Sequence, residues 1–276
     1  MRRLAGLGVA AGLAVAAGAA ARAGTDVAPA PFPEFPEPSR PPAAHLPMPD
    51  SLPEPVRRWL SGVYGTEVPV VRSVVVTGRA RIKPFGVWLP ARFRFAHDAG
   101  QGYRHYIEAT WFGRPFLAVN ERFLDGEALM EIPVVGTDSG PKLAQAATLG
   151  MWAELATAAP SVLVTDPRVR WRPLDDLTAT LTVPAPGDSH ESMTVRFDER
   201  TGALRSLEGW RYRSSKDPEK LLWIAAVEAD PRVGPYRLPA VGTATWADQG
   251  EPWARFVTED IRTDVDVAAY LRARGI

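Results

Sequence analysis

A two-residue period that recurs between closely spaced turns constrains this chain more than any other feature. In Val87-Trp88-Leu89-Pro90-Ala91-Arg92-Phe93-Arg94-Phe95 the odd-numbered positions are apolar or small, and Arg92 and Arg94 stand opposite them. In Val74–Ile82 the even positions are apolar or small, while the odd ones turn polar from Thr77 onward. Successive side chains on a strand point to opposite faces, so this pattern predicts antiparallel strands with one buried and one wet face. Tyr103–Phe112, Phe116–Phe123 and Glu127–Ile132 continue the series, separated by Gly113-Arg114-Pro115 and Asp125-Gly126. Such short Gly- and Pro-containing gaps suit hairpins and leave no room for crossover helices. A second series is expected at Ala179–Val183, Met193–Phe197, Leu204–Arg213, Leu221–Glu228, Tyr236–Trp246 and Trp253–Arg262.

Helical spacing interrupts this pattern three times. Val56, Trp59, Leu60 and Val63 fall at i, i+3, i+4 and i+7 behind Ser51, which is the candidate cap. Pro141 to about Ala159 reads as a second helix, capped by Asp138 or Ser139 and ended by Pro160. Its Leu143, Ala147, Leu149, Met151, Trp152, Leu155 and Ala156 leave little polar surface, so it is expected to be buried on several sides. Asp266 is positioned to cap a last short helix through Tyr270 and Leu271. The expected fold is α+β and mainly β. It is a large curved antiparallel sheet, or unclosed half-barrel, of about eleven strands around a central helix, with short N- and C-terminal helices.

Ahead of this region, Met1-Arg2-Arg3 precedes an uncharged run from Leu4 to Ala21, then Ala21-Arg22-Ala23. A basic start, an apolar stretch and a small-x-small site make residues 1–23 a signal peptide or membrane anchor. Cleavage is the preferred reading because the run is rich in Ala and Gly and near the lower end of the roughly 17 to 25 residues a spanning helix needs. The globular part is thus expected in the periplasm or outside the cell, with inner-membrane anchoring as the alternative. Prolines recur from Pro29 to Pro55, so residues 24–50 read as a semi-rigid linker and 51–276 as one globular domain.

Charge is balanced at 32 basic and 32 acidic residues. Cleavage after Ala23 removes three arginines and no acid, leaving a mildly acidic chain with no electrostatic footprint for nucleic acid. The absence of cysteine excludes disulfides, a thiol nucleophile and thiolate metal sites.

Three segments resemble an uncharacterised bacterial family of exported or membrane-anchored proteins, a domain of unknown function. They are Leu52-Pro53-Glu54-Pro55-Val56-Arg57-Arg58-Trp59-Leu60, Trp152-Ala153-Glu154 ahead of Pro160, and Leu238-Pro239 followed by Trp246 and Trp253. The element order is also remotely similar to the periplasmic lipoprotein-carrier fold. That resemblance implies an unclosed sheet cradling helices and an acyl chain, and it brings no catalytic residues.

Recognised catalytic signatures are missing: there is no Gly-x-Ser-x-Gly elbow, Walker loop or Gly-x-Gly-x-x-Gly turn. Of the four histidines, His45 lies in the linker and His190 in a polar loop. His105 and Glu108 have helical metal-pair spacing, but on a strand three residues apart means opposite faces. No metal and no cofactor are expected. Glu154 is the most conspicuous charge because its helix is otherwise so apolar. The alternatives for it are a structural pair with Arg104 or Arg122, or a polar anchor at the mouth of a ligand cavity. Phe93, Phe95, Trp111, Leu117, Met151 and Trp152 are the candidate lining residues by inward parity, with Glu154 beside them. The expected function is non-enzymatic binding of a lipid or other hydrophobic ligand in a half-barrel groove. The alternatives are an envelope enzyme with an unrecognised site and a protein-interaction or sensor module.

Overall fold

The computed structural model describes residues 22–84, 86–133 and 135–274. Nearly all of the signal or anchor segment lies outside the described residues. No helix among the described residues is long and apolar enough to cross a membrane.

In chain order the elements are β1 (His45–Pro47), α1 (Glu54–Tyr64), β2 (Glu67–Pro69), β3 (Ser73–Ile82), β4 (Leu89–Asp98), β5 (Gly102–Trp111), β6 (Arg114–Leu124), β7 (Glu127–Ile132) and β8 (Gly136–Ser139). Then come α2 (Pro141–Ala158), α3 (Val162–Thr165), β9 (Arg170–Asp175), β10 (Thr178–Ala185), β11 (Ser189–Phe197), β12 (Leu204–Arg211) and β13 (Leu221–Val227). The last are β14 (Arg232–Val233), β15 (Leu238–Pro239), β16 (Val241–Trp246), β17 (Pro252–Thr263) and α4 (Ala268–Arg272).

Thirteen strands form one antiparallel sheet in the order β8-β7-β6-β5-β4-β3-β17-β16-β13-β12-β11-β10-β9. The two end strands do not pair with each other, so the sheet is unclosed. Helix α2 touches β6, β7 and β8 from one half and β10, β11 and β12 from the other. The sheet must therefore curve around the helix. The fold class expected from periodicity is the one observed.

The two strands beyond the expected eleven, β8 and β9, are the sheet's edges. Neither shows a clean apolar alternation: β8 is Gly-Thr-Asp-Ser, and β9 carries Arg170, Arg172 and Pro173. Polar and proline-bearing edges resist pairing with other chains. The expected strand Tyr236–Trp246 is shorter, because the chain first pairs β15 with β14 and enters the large sheet only at Val241.

Helix α1 buries Val56, Trp59 and Leu60 as its spacing requires, with the Trp59 ring 5.7 Å from that of Phe197. Its N-cap is Pro53, not Ser51, and gives no side-chain bond. Helix α2 is buried along nearly its whole circumference. Gly140, at φ 106°, occupies its N-cap, and the expected cap Asp138 instead accepts hydrogen bonds from Ser215 Oγ and from Ser215 N at 3.1 Å.

Two glycines stand in close quarters, and at the first of them the approach rules out a side chain. A Cβ on Gly78 would stand 2.1 Å from the Val257 carbonyl oxygen, where β3 meets β17 beside a register shift between Thr258 and Asp260. One on Gly209 would meet Met193 and Leu149 at 3.1 and 3.2 Å, where β12 packs under α2.

The sheet's outer face carries a smaller apolar cluster of Phe35, Val75, Ala96, Val265, Val267 and Leu271. Part of the proline-rich stretch read as a spacer thus lies on the sheet. Phe32 and Phe35 are buried there, Arg94 donates to the Pro33 carbonyl, and Arg262 Nη1 donates to that of Phe35 at 3.1 Å. The missing backbone donors of prolines are no handicap here, because the strap offers carbonyls to arginines instead.

Candidate functional site

The antiparallel register of β4, β5 and β6 places Phe95 beside His105 and His105 beside Glu121, with His97 beside Tyr103 and Tyr103 beside Phe123 in the next row. All six project toward α2, because they share parity on strands whose other face carries Arg92, Arg94, Arg104 and Glu108. From the helix, Glu154 meets this row. Its Oε2 lies 2.6 Å from His105 Nε2 and 3.1 Å from His97 Nε2. Behind His105, Nδ1 faces Glu121 Oε2 at 3.7 Å, and the Tyr103 hydroxyl donates to Glu121 Oε1 at 2.5 Å. The His105 ring is held 4.0 Å from the Tyr103 ring centroid and 4.1 Å from that of Phe95.

Across the interior, β12 contributes Arg211, whose guanidinium sits 4.6 Å from the Trp223 ring and 5.6 Å from the Trp246 ring. Burial draws its pKa down, while the charges of Glu121, Tyr103 and Glu154 oppose that shift. Burial also works against charge on His105, but Glu154 and Glu121 outweigh it and raise this imidazole to about 9. For Glu154 burial would favour the neutral acid, and the two histidines overcome it to hold the carboxyl at about 2. His97 goes the other way: burial lowers it and Glu154 only partly compensates. Two imidazoles that share one carboxylate are thus shifted in opposite directions.

The contacts are close but poorly aimed. His97 Nδ1 and Nε2, His105 Nε2 and Glu154 Oε2 are sealed from solvent, yet none takes part in a well-directed hydrogen bond. Both Nε2 atoms approach the same oxygen off the N–H axis. The nitrogen and oxygen donors of His97, His105 and Glu154 all lie within 4.8 Å of one another, a grouping able to hold a cation.

This polar corner ends an apolar cavity bounded by β3, β4, β13, β16, β17 and α2. Val76, Phe93, Phe95, Trp223, Ala244 and Phe256 line it, with His97 and Glu154 among the few polar residues. About 110 Å³ is open to the centres of water-sized groups, several times what a single water needs. Glu154 is deep within the protein, but 30 % of its side-chain surface remains accessible.

Of the residues singled out by sequence, the fold brings Phe93, Phe95 and Glu154 to this cavity. Met151 and Trp152 are buried in the core, Met151 facing the turns around Gly100 and Pro184. Leu117 is half-buried against the core. Trp111, the last residue of β5, is 47 % exposed, while Thr110 beside it is fully buried. Glu154 pairs with neither Arg104 nor Arg122. Arg104 stands on the sheet's other face, donating to Asn120 Oδ1 at 2.7 Å and the Tyr270 carbonyl at 3.2 Å. Glu108 is likewise separated from His105 and pairs with Arg92 at 2.6 Å. Sequence reasoning missed His97, Tyr103, Glu121 and Arg211. For the first, the signal was its parity with Phe93 and Phe95.

Comparison with solved structures gives remote similarity. The LolA superfamily protein NE2245 from Nitrosomonas europaea matches with a TM-score of 0.46 and 10% identity, covering 80% of this chain and 96% of its own. A putative outer membrane lipoprotein-sorting protein domain from Vibrio parahaemolyticus gives 0.39 and 11%, covering 69% and 85%. A DUF1329 family protein from Desulfovibrio piger gives 0.40 and 11%, covering 73% and 90%. No curated protein matches the sequence. The model of a family of unknown function, DUF6544, matches residues 43–256, from β1 through most of the sheet and the whole polar corner, and the chain belongs to that family.

Proposed function

We propose that this protein binds a hydrophobic ligand, such as an acyl chain, in the cavity between the curved sheet and α2. The observation that carries this reading is the cavity itself: a mainly apolar lining that includes the His97 imidazole and the Glu154 carboxylate. Ligand sites of this kind combine a desolvated apolar wall with a few polar groups that fix orientation. The tail would lie against Val76, Phe93, Trp223 and Phe256, with the polar end of the molecule toward Glu154. The N-terminal segment supports a location outside the cytoplasm, released or held at the inner membrane by residues 1–23.

Native mass spectrometry of protein purified from a bacterial envelope tests the reading. The expected result is a bound lipid mass that is lost in the folded Ala244→Trp variant, where an indole fills the cavity. A wild-type protein that carries no lipid and fails to bind a fluorescent fatty acid would end the proposal.

An enzymatic role has one observation in its favour, the convergence of Glu121 and Glu154 on His105 beside the cavity. Turnover of an ester or amide lipid that disappears in His105→Gln, with lipid binding retained, would establish it over simple carriage.

A further inference from the structure

We propose that His97, His105 and Glu154 form a site for a divalent transition cation of the zinc class, open on one side toward the apolar cavity. The inference stands apart from the ligand reading and does not depend on what the cavity holds.

The donor set is two imidazole nitrogens and one carboxylate oxygen. That combination suits borderline cations such as zinc and excludes the all-oxygen preference of magnesium and calcium. The three donor atoms lie within 4.8 Å of one another, and the two contacts to Oε2 are 2.6 and 3.1 Å. A tetrahedral zinc with bonds near 2.0 to 2.1 Å holds its ligand atoms about 3.3 Å apart. The two contacts to Oε2 are about 0.2 to 0.7 Å shorter than that value, so the carboxylate must draw back from the imidazoles by a few tenths of an ångström to seat the ion.

Direction distinguishes this arrangement from an ordinary ion pair. In an ion pair each N–H would run along its contact. Here both Nε2 atoms face Oε2 off-axis, and all three atoms are buried without a well-directed hydrogen bond. That leaves all three atoms without a directed partner and near enough to share a cation, which on binding would displace the His105 proton.

The surroundings provide what a histidine ligand needs. Metal-bound imidazoles usually turn their other nitrogen toward a carboxylate, which fixes the ring and strengthens it as a donor. Glu121 stands behind His105 Nδ1 at 3.7 Å and is itself held by the Tyr103 hydroxyl at 2.5 Å. Stacking on Tyr103 and Phe95 restrains the ring further. Three protein ligands leave one position vacant on a four-coordinate ion. The cavity that His97 and Glu154 line is where water or an anionic group would occupy it.

The full chain, stripped with EDTA and titrated with Co(II) alone, tests the site. One equivalent should bind, with visible absorption several-fold stronger than that of the aqueous ion, and Zn(II) should displace it. Glu121→Gln should weaken binding by about 10- to 100-fold, and Glu154→Gln by more, while His45→Ala and His190→Ala leave it unchanged. A folded wild-type chain that binds no Co(II), or binding that survives Glu154→Gln but falls in the His45 or His190 variants, overturns the proposal. Should the cluster variants fail to fold, ¹⁵N imidazole spectra of the wild-type chain with Zn(II) decide. Shifts at Nε2 of His97 and His105 support the site, and shifts confined to His45 and His190 refute it. Lipid occupancy is read separately by mass spectrometry, so either proposal can fail alone.

Discussion

His105 Nε2 and Glu154 Oε2 stand 2.6 Å apart and tie strand β5 to helix α2 across the protein interior. Removing the acid leaves the buried imidazole cluster without its shared partner. Breaking a fully buried pair costs about 3 to 5 kcal/mol. Because Glu154 keeps part of its surface open to the cavity, Glu154→Ala should cost roughly 2 to 4 kcal/mol. Urea unfolding in EDTA measures this, and a loss below about 1 kcal/mol would show that the contact contributes little beyond a surface pair.

Gly78 leaves no room for a methyl group against the Val257 carbonyl, 2.1 Å from its would-be Cβ. Gly78→Ala must push β3 and β17 apart at their register shift. Overpacking of this kind costs about 1 to 3 kcal/mol. Thermal unfolding should show a lowered midpoint, with faster amide exchange concentrated on these two strands.

Phe35 anchors the proline strap to the sheet's outer face, its ring 5.5 Å from Tyr270 and its carbonyl bonded to Arg262. Phe35→Ala should free residues 30–36 while leaving the main core intact. Limited proteolysis reads the difference: cleavage within the strap should be slow in the wild type and fast in the variant.

Asp138 links the start of α2 to the loop at Ser215. Burial works to raise its pKa, but the hydrogen bonds from Ser215 outweigh that and hold it below its ordinary value of 3.8. A depressed carboxyl contributes stability above the unfolded pKa and loses it as pH falls through the folded value. Asp138→Asn should therefore cost about 1 kcal/mol at neutral pH, and the gap from wild type should shrink below about pH 4. Chemical denaturation at several pH values checks this; a constant gap would refute it.

Most of the sheet was legible because period-two alternation survives wherever one face is buried and the other wet. The edges β8 and β9 were not legible, since an edge is kept polar for reasons that erase the pattern. The candidate site was half legible. Parity chose Phe93 and Phe95 correctly for the interior, and extending the same rule to His97 would have placed it two residues further along the same face. His105 was weighed only against Glu108, its neighbour in sequence, whereas its partners Glu121 and Glu154 come from an adjacent strand and a distant helix. Which arginine or histidine meets Glu154 depends on helix rotation within the curved sheet, and that is set by packing around α2. Trp111 was misplaced because it is the last residue of β5, and period-two parity does not mark where burial along a strand stops.

The pairing of β17 with β3 has a consequence for how the chain comes to be folded. Ala254 lies opposite Ile82 and Thr263 opposite Val74, so the seam between the two halves of the sheet closes only with the last strand made. On either side, β3 to β8 and β9 to β13 are built from neighbouring hairpins that close short loops. During synthesis each half can organise locally, but β3 waits with an open edge until β17 leaves the ribosome. Long-range pairing of this sort slows folding and exposes strand edges meanwhile. A chain shortened before Pro252 would keep two hairpin arrays and lose the strand that makes them one sheet.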